Sequence, residues 1–252
     1  MRNPMPYSPL IAKLRAVTRI RDEDAAKVNS TWINEYRTTA GSDIVSAGTR
    51  IESLRVILDG WAARYRMTAD GNRQLTELLI PGDFCNVHAT ILPAMDHGVT
   101  ALTDCRVGKI DVAALDNVII EVPVLARAIW RSVLIDLTIL REWIASADQH
   151  DPLKTVAHLL CQLHARLGII GRVRANRFVL PLTDDDVASV CGLPAMPATN
   201  CLDELKDCGL ISRKGDEITL NDLRAIHRFA GYNARHLQRL RLAQRALGCG
   251  AG

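Results

Sequence analysis

The feature that most constrains this chain is a change of hydrophobic period near residue 120. Before it, short apolar runs are separated by tight turns: Leu54–Leu58, Trp61–Met67, Gln74–Ile80, Val99–Thr103 and Cys105–Ile110. Closely spaced short strands of this kind form a small antiparallel barrel or jelly roll. After it, Leu125, Ile129, Val133, Leu137, Leu140, Ile144 and Ala147 recur in steps of three and four, from Glu121 to about Gln149. That is the period of one long helix. The fold class is therefore α+β.

Finer expectations follow from local chemistry. Asp59-Gly60 lies between two apolar runs and reads as a two-residue hairpin turn, both positions taking φ > 0. Ala69-Asp70-Gly71-Asn72 and Pro81-Gly82-Asp83 mark further turns. Ile20–Arg37 reads as a helix, with Asp22 near its start and Val28, Trp32 and Ile33 as apolar positions. The long helix carries a second apolar face, Ala128, Ile135, Ile139 and Trp143. A helix apolar on two sides must bury both. One side is expected on its own barrel and the other, Leu125, Ile129, Val133, Leu137, Leu140 and Ile144, on the same helix of a second copy. Burial inside a monomer is the alternative.

The last hundred residues carry their own signals. Asp151 is placed to cap a helix that begins at Pro152 and ends at about Leu167-Gly168. Phe178–Leu182 is a short extended run. Thr183 followed by Asp184, Asp185 and Asp186 is a helix start, and Gly192 a helix end. A second helix from about Ala195 stops near Cys208-Gly209, and Leu210–Leu220 reads as strand, glycine turn, strand. Helix, turn, helix and β-ribbon make a winged helix-turn-helix. The expected domains are a barrel over 1–120, a dimerisation helix over 121–149, a winged helix over 150–226 and a basic tail over 227–252.

These segments, in this order, resemble the CRP/FNR family of bacterial transcription regulators. Ile57–Tyr65, Asp70–Gln74, Leu79–Phe84 and Ala101–Cys105 are similar to its cyclic-nucleotide-binding-type barrel. Leu182–Ala188, Gly192-Leu193 and Leu205–Arg213 are similar to its winged helix. The resemblance implies a homodimer that binds double-stranded DNA and acts on RNA polymerase. It places DNA contacts at Thr183, Ala195, Met196, Thr199, Asn200, Arg213 and Lys214. It places an effector pocket at Asn86, Val87, His88, Thr100 and Leu140.

Two departures matter. Where cAMP-binding members hold ribose and phosphate with Gly-Glu-Leu and Arg-Ser, this chain has Asn86-Val87-His88 and Met95-Asp96. A buried phosphate without a charged partner is costly, so cAMP is not expected to bind. In the reading helix, the family's usual Arg, Glu and Arg are matched by Ala195, Met196 and Asn200. No arginine there can read guanine. Base reading through Asn200, and a degenerate module that no longer reads bases, both stay open.

Charge is uneven along the chain. Residues 183–220 hold eight carboxylates against three basic groups, and residues 221–252 hold six arginines against one carboxylate. Arg172, Arg174 and Arg177 precede the winged helix. Arg235, Arg239, Arg241 and Arg245 lie on an expected C-terminal helix, either a solvated cap or an extension of the DNA footprint.

Other chemistry finds little support. The 252 residues include seven cysteines with no Cys-x-x-Cys pair, so neither a disulfide framework nor a structural zinc site is expected. Cys85, His88, His97 and Cys105 raise haem or zinc, but read as buried thiols and a partly exposed histidine. The first 84 residues have no cysteine, which excludes the family's N-terminal iron–sulfur cluster. Aromatics are 4%, too few for platforms of stacked bases. There is no phosphate loop, nucleophile elbow or His-Glu-x-x-His. No enzyme, metal or cofactor is expected. No apolar run or leader suggests a membrane, so a cytoplasmic protein is expected.

Overall fold

The structure is a computed structural model. It describes residues 8–50, 52–87, 91–92, 94–147, 151–193 and 195–233, with the backbone alone for 145–147 and 195–199. They fall into two compact units that divide between Val133 and Leu134. Among the described residues no helix is long and apolar enough to cross a membrane.

The first unit runs α1 (Pro9–Val17), α2 (Asp22–Asn29), β1 (Trp32–Thr38), β2 (Asp43–Val45), β3 (Ser53–Asp59), β4 (Ala62–Met67), β5 (Arg73–Leu79), β6 (Gly98–Ala101), β7 (Cys105–Asp111), α3 (Val112–Glu121) and the start of α4 (Pro123–Ala147). The strands form two antiparallel sheets, in the orders β1-β7-β3 and β2-β6-β4-β5. Alternate side chains from both sheets fill the barrel: Ile44, Ile57, Ala62, Leu79, Val99, Ala101 and Val107, with Cys85 and Met95 from the connections.

Asp59-Gly60 is not a hairpin turn. β3 pairs with β7, whereas β4 pairs with β5 and β6, so the dipeptide carries the chain from one sheet to the other. Only Gly60 takes positive φ, at 82°. A Cβ there would sit 2.3 Å from the Asp104 carbonyl oxygen, so glycine is required both for its conformation and for close approach. The hairpin lies one connection later, between β4 and β5. There Gly71 is at φ 77° and the Thr68 N–H donates to the Asn72 carbonyl. Asp-Gly announces a tight corner; which strands pair across it is decided by the core.

The expected helix over Ile20–Arg37 is half right. α2 stops at Asn29, held at its start by three acidic residues and an Arg21–Asp24 capping box. From Trp32 the chain pairs with β7. The Trp32 ring lies over Gly108, where a Cβ would come within 2.0 Å of it. Aromatic and β-branched residues suit that pleated surface, and pairing overrode the local helical reading. Two helices of this unit lie beyond the sequence expectations. In α1, Ser8 caps and Pro9 opens the helix, and Leu10, Ile11, Leu14 and Val17 are buried. α3 is capped by Asp111, whose carboxylate accepts the Ala114 N–H.

The second unit holds the rest of α4, α5 (Pro152–Ile169), β8 (Arg177–Val179), α6 (Asp184–Cys191), α7 (Ala195–Asp207), β9 (Ile211–Lys214), β10 (Glu217–Leu220) and α8 (Leu223–Phe229). The caps at Asp151 and Thr183 form as expected, and Gly192 ends α6 in the left-handed region at φ 65°. β8 joins the wing, giving the order β8-β10-β9. α5 is the spine of this unit, with Val156, Leu160, Cys161 and Leu163 fully buried. Trp143 of α4 donates its indole N–H to Gln162 at 2.8 Å and meets the His158 ring edge-on. His158 and His227 both pack on Tyr232 at 5.1 Å.

Candidate nucleic-acid interface and sensor site

α7 is built to be half-buried. Cys201, Leu202 and Leu205 are 5%, 1% and 0% exposed. With about 100° per residue, the opposite face carries positions 196, 200, 203, 204 and 207. Asn200, Asp203, Glu204 and Asp207 are all exposed there. Ala195, Met196 and Thr199 are placed on the helix by its backbone, and their side chains lie outside the described residues. Pro197 is the third residue of α7. Its missing N–H is one of the first-turn donors that have no partner within the helix. The outward face therefore begins neutral and ends in three carboxylates.

Around it, several expected contacts are committed within the chain. The Thr183 hydroxyl donates to Asp186 at 2.7 Å and accepts the Asp186 N–H at 3.1 Å. Arg213 in β9 pairs with Asp184 at 3.2 Å, which ties the wing to the start of α6. Lys214 is exposed beside the Gly215 turn. More basic groups lie elsewhere on this unit. Arg224 and Arg228 are exposed on α8. Arg174 and Arg177 are exposed on a turn whose central residues, Ala175 and Asn176, take φ of 48° and 60°. α8 lay outside the sequence expectations, although Asp222 is a readable cap that accepts two N–H groups. Arg235, Arg239, Arg241 and Arg245 lie outside the described residues.

Of the expected effector residues, Asn86, Val87, Thr100 and Leu140 are described, each in its own setting. Asn86 is 1% exposed and holds the backbone of β3: its carbonyl oxygen accepts the Arg55 N–H at 2.7 Å and its amide donates to the Ser53 carbonyl at 2.9 Å. Thr100 is buried on β6 next to Val99 in sequence, so it points away from the barrel interior that Val99 lines. Its hydroxyl oxygen accepts from Arg73 at 3.2 Å. Val87 lines a cavity outside the barrel. Leu140 belongs to the second unit, and His88 lies outside the described residues.

The barrel interior is occupied by its own side chains. Met95 is 3% exposed among the core residues. Arg64 and Glu77 face each other across β4 and β5 and form an ion pair, and Arg64 also donates to the Phe84 carbonyl at 2.8 Å. Burial pushes the Cys85 thiol up to about 12, so at neutral pH it is protonated and a poor nucleophile. Cys105 is pushed up to about 11, again mainly by burial. His97 is held below the ordinary histidine value, first by burial and then by nearby Arg64. Its Nδ1 lies 2.7 Å from Asp96. Among the described residues no three histidines, cysteines or carboxylates gather as a metal site.

The long helix α4 differs sharply between its faces. Leu125, Ala128, Ser132, Ile135 and Ile139 are 0–6% exposed. Trp130, Leu134, Leu137, Leu140 and Ile144 are 58%, 52%, 38%, 46% and 67% exposed. Leu125, expected on the partner-facing side, is thus buried in its own chain, while Trp130 and Leu134 join the open face. Ile129 and Val133 are half-buried between the two.

Comparison with known proteins agrees with this order of elements. Residues 37–121 match the cyclic nucleotide-binding domain family, and residues 155–229 match the Crp-like helix-turn-helix domain. The anaerobic regulatory protein of Haemophilus influenzae is 25% identical over 190 residues, 75% of this chain and 74% of that protein. The transcriptional activator protein FnrL of Cereibacter sphaeroides is 26% identical over 187 residues, 73% and 75% of the two chains. Among solved structures, FixK2 from Bradyrhizobium japonicum has the same fold, with a TM-score of 0.69 at 20% identity over 78% of this chain and 96% of that one. With both domains matched in this order, the chain belongs to the CRP/FNR family of DNA-binding transcription regulators.

Proposed function

We propose that this regulator acts as a homodimer joined along the open face of α4, that its two winged helices dock on a two-fold DNA site, and that no cyclic nucleotide controls it. The observation that carries this reading is the α4 stripe. Five large apolar side chains exposed in a row on one helix face, opposite a fully buried face, form a seam that a second copy of the same helix covers. Met95 within the core and the Arg64–Glu77 pair support the absence of a nucleotide. They occupy the barrel, and no phosphate-binding arginine stands at position 95.

In this reading Ala195, Met196, Thr199 and Asn200 approach base edges, with Asn200 suited to adenine. Thr183, Arg213 and Lys214 lie along the phosphates, and RNA polymerase is the downstream partner in the cytoplasm. The carboxylates Asp203, Glu204 and Asp207 on the same face of α7 favour a second reading, a regulatory dimer that has lost base recognition. Selection of genomic fragments followed by gel shifts at rising salt separates the two. Sequence-specific binding yields a palindromic consensus that Asn200→Ala weakens. A degenerate module gives only salt-sensitive, sequence-blind binding.

A further inference from the structure

The first unit contains a cavity of about 380 Å³ that the family's barrel site does not account for. Its floor is Leu54, Phe84 and Leu115, all 5% exposed or less, and its rim is Ile91, Leu92 and Trp130, 48–71% exposed. Leu54 lies three residues before Ile57 on β3. Because Ile57 points into the barrel, Leu54 points out of it. The cavity is therefore on the outer side of the sheet, walled by α3 and by Ala126, Ile129 and Val133 of α4. Among the described residues one lining residue is ionisable, the exposed Asp116 of α3.

We propose that this cavity binds a small amphiphile, with an apolar body in the pocket and a single cationic head at Asp116. The volume is that of a small-ligand site, and the walls are apolar with one polar group to orient the occupant. An inserted peptide would bury amide groups with almost nothing to pair them, which is unfavourable. A helix of a second copy lying on the rim would cover the mouth and leave the volume above Leu54 unfilled. Trp130 on the rim belongs to the open face of α4, and Ile129 and Val133 in the wall border that face, so an occupant sits where the proposed dimer seam begins. That last link rests on the dimer reading above; the binding itself does not.

Trp130 reports on the site. Octyltrimethylammonium, titrated below its micelle concentration into the full-length protein, is expected to give a saturable blue shift of tryptophan emission that Trp130→Phe removes. Octyl sulfate is expected to bind about threefold more weakly or worse, the scale of one exposed charge pair. Asp116→Asn should abolish that preference while keeping the shift, and Ala126→Phe, which fills the cavity, should abolish the shift in both titrations. The proposal is overturned by the absence of a saturable shift in the unmodified protein, by Ala126→Phe titrating like it, or by a head-group preference that survives Asp116→Asn. Because Asp116 is exposed, its variant tests the site even if Ala126→Phe fails to fold. Sedimentation of the same samples reads the dimer separately: a monomer that still binds the cation sinks the dimer reading and leaves the site standing.

Discussion

The two faces of α4 have nearly the same apolar content and opposite fates. On one, Leu125, Ala128, Ile135 and Ile139 are sealed from solvent; on the other, Trp130, Leu134, Leu137, Leu140 and Ile144 are open to it. The first face contributes to folding of the single chain. The second contributes far less to it, because apolar area left in water gains no burial energy. An apolar row left open at that position fits the proposed association, and the comparison can be broken from either side.

The largest expected effect comes from the buried face. Leu125→Ala removes a fully buried side chain and should lower unfolding free energy by about 2–5 kcal/mol, read from urea denaturation extrapolated to a common dimer state. A loss below about 1 kcal/mol would show that Leu125 is not packed tightly in its own chain. On the open face, Leu137→Glu with Ile144→Glu should weaken self-association at least about a hundredfold, while far-ultraviolet circular dichroism stays unchanged. Sedimentation that still shows a dimer at low micromolar protein would remove the seam.

The sharper tests concern the winged-helix unit. Thr183→Ala deletes a hydroxyl that both donates to and accepts from Asp186. It should cost about 1 kcal/mol of stability, and an equal loss of DNA affinity beyond that would show that the hydroxyl also meets DNA. The smallest effect is a pH dependence. Burial holds the imidazoles of His164 and His227 below the ordinary value, and for His164 the neighbouring His227 adds to the shift. The folded chain keeps both neutral, so the unfolded chain takes up protons first as the pH falls. Their contribution is complete above about pH 6.5 and is lost as the pH falls from there towards the lowered folded values. Urea midpoints at pH 7.5 and 5.5 should differ in that direction, and the pair His164→Gln, His227→Gln should flatten the difference. Stability that rises on acidification across that window would contradict it.

Much of this could be read in advance because its signals are local. The caps at Asp151 and Thr183, the glycine end at Gly192 and the winged-helix order depend on residues within a few positions of one another. The Asp59-Gly60 corner was legible as a turn and misleading as a hairpin. The same two residues serve either geometry, and the choice belongs to strands β7 and β6, some forty residues away. Trp32 read as part of a helix until its pairing with β7 is considered. The site residues were the least legible. Asn86 and Thr100 are ordinary polar residues in sequence, and only their partners Ser53, Arg55 and Arg73 show that they hold backbone and sheet together.

By itself, then, the order of residues determined the periods, the caps and the glycine stops, and with them the succession of strands, long helix and winged helix. These are set by φ/ψ preference and by which neighbours share a face. Tertiary structure alone decided which of the two α4 faces is buried, what fills the barrel and where an unfilled cavity remains. Those are questions of volume between segments far apart along the chain, and no local pattern encodes the space that distant side chains leave between them.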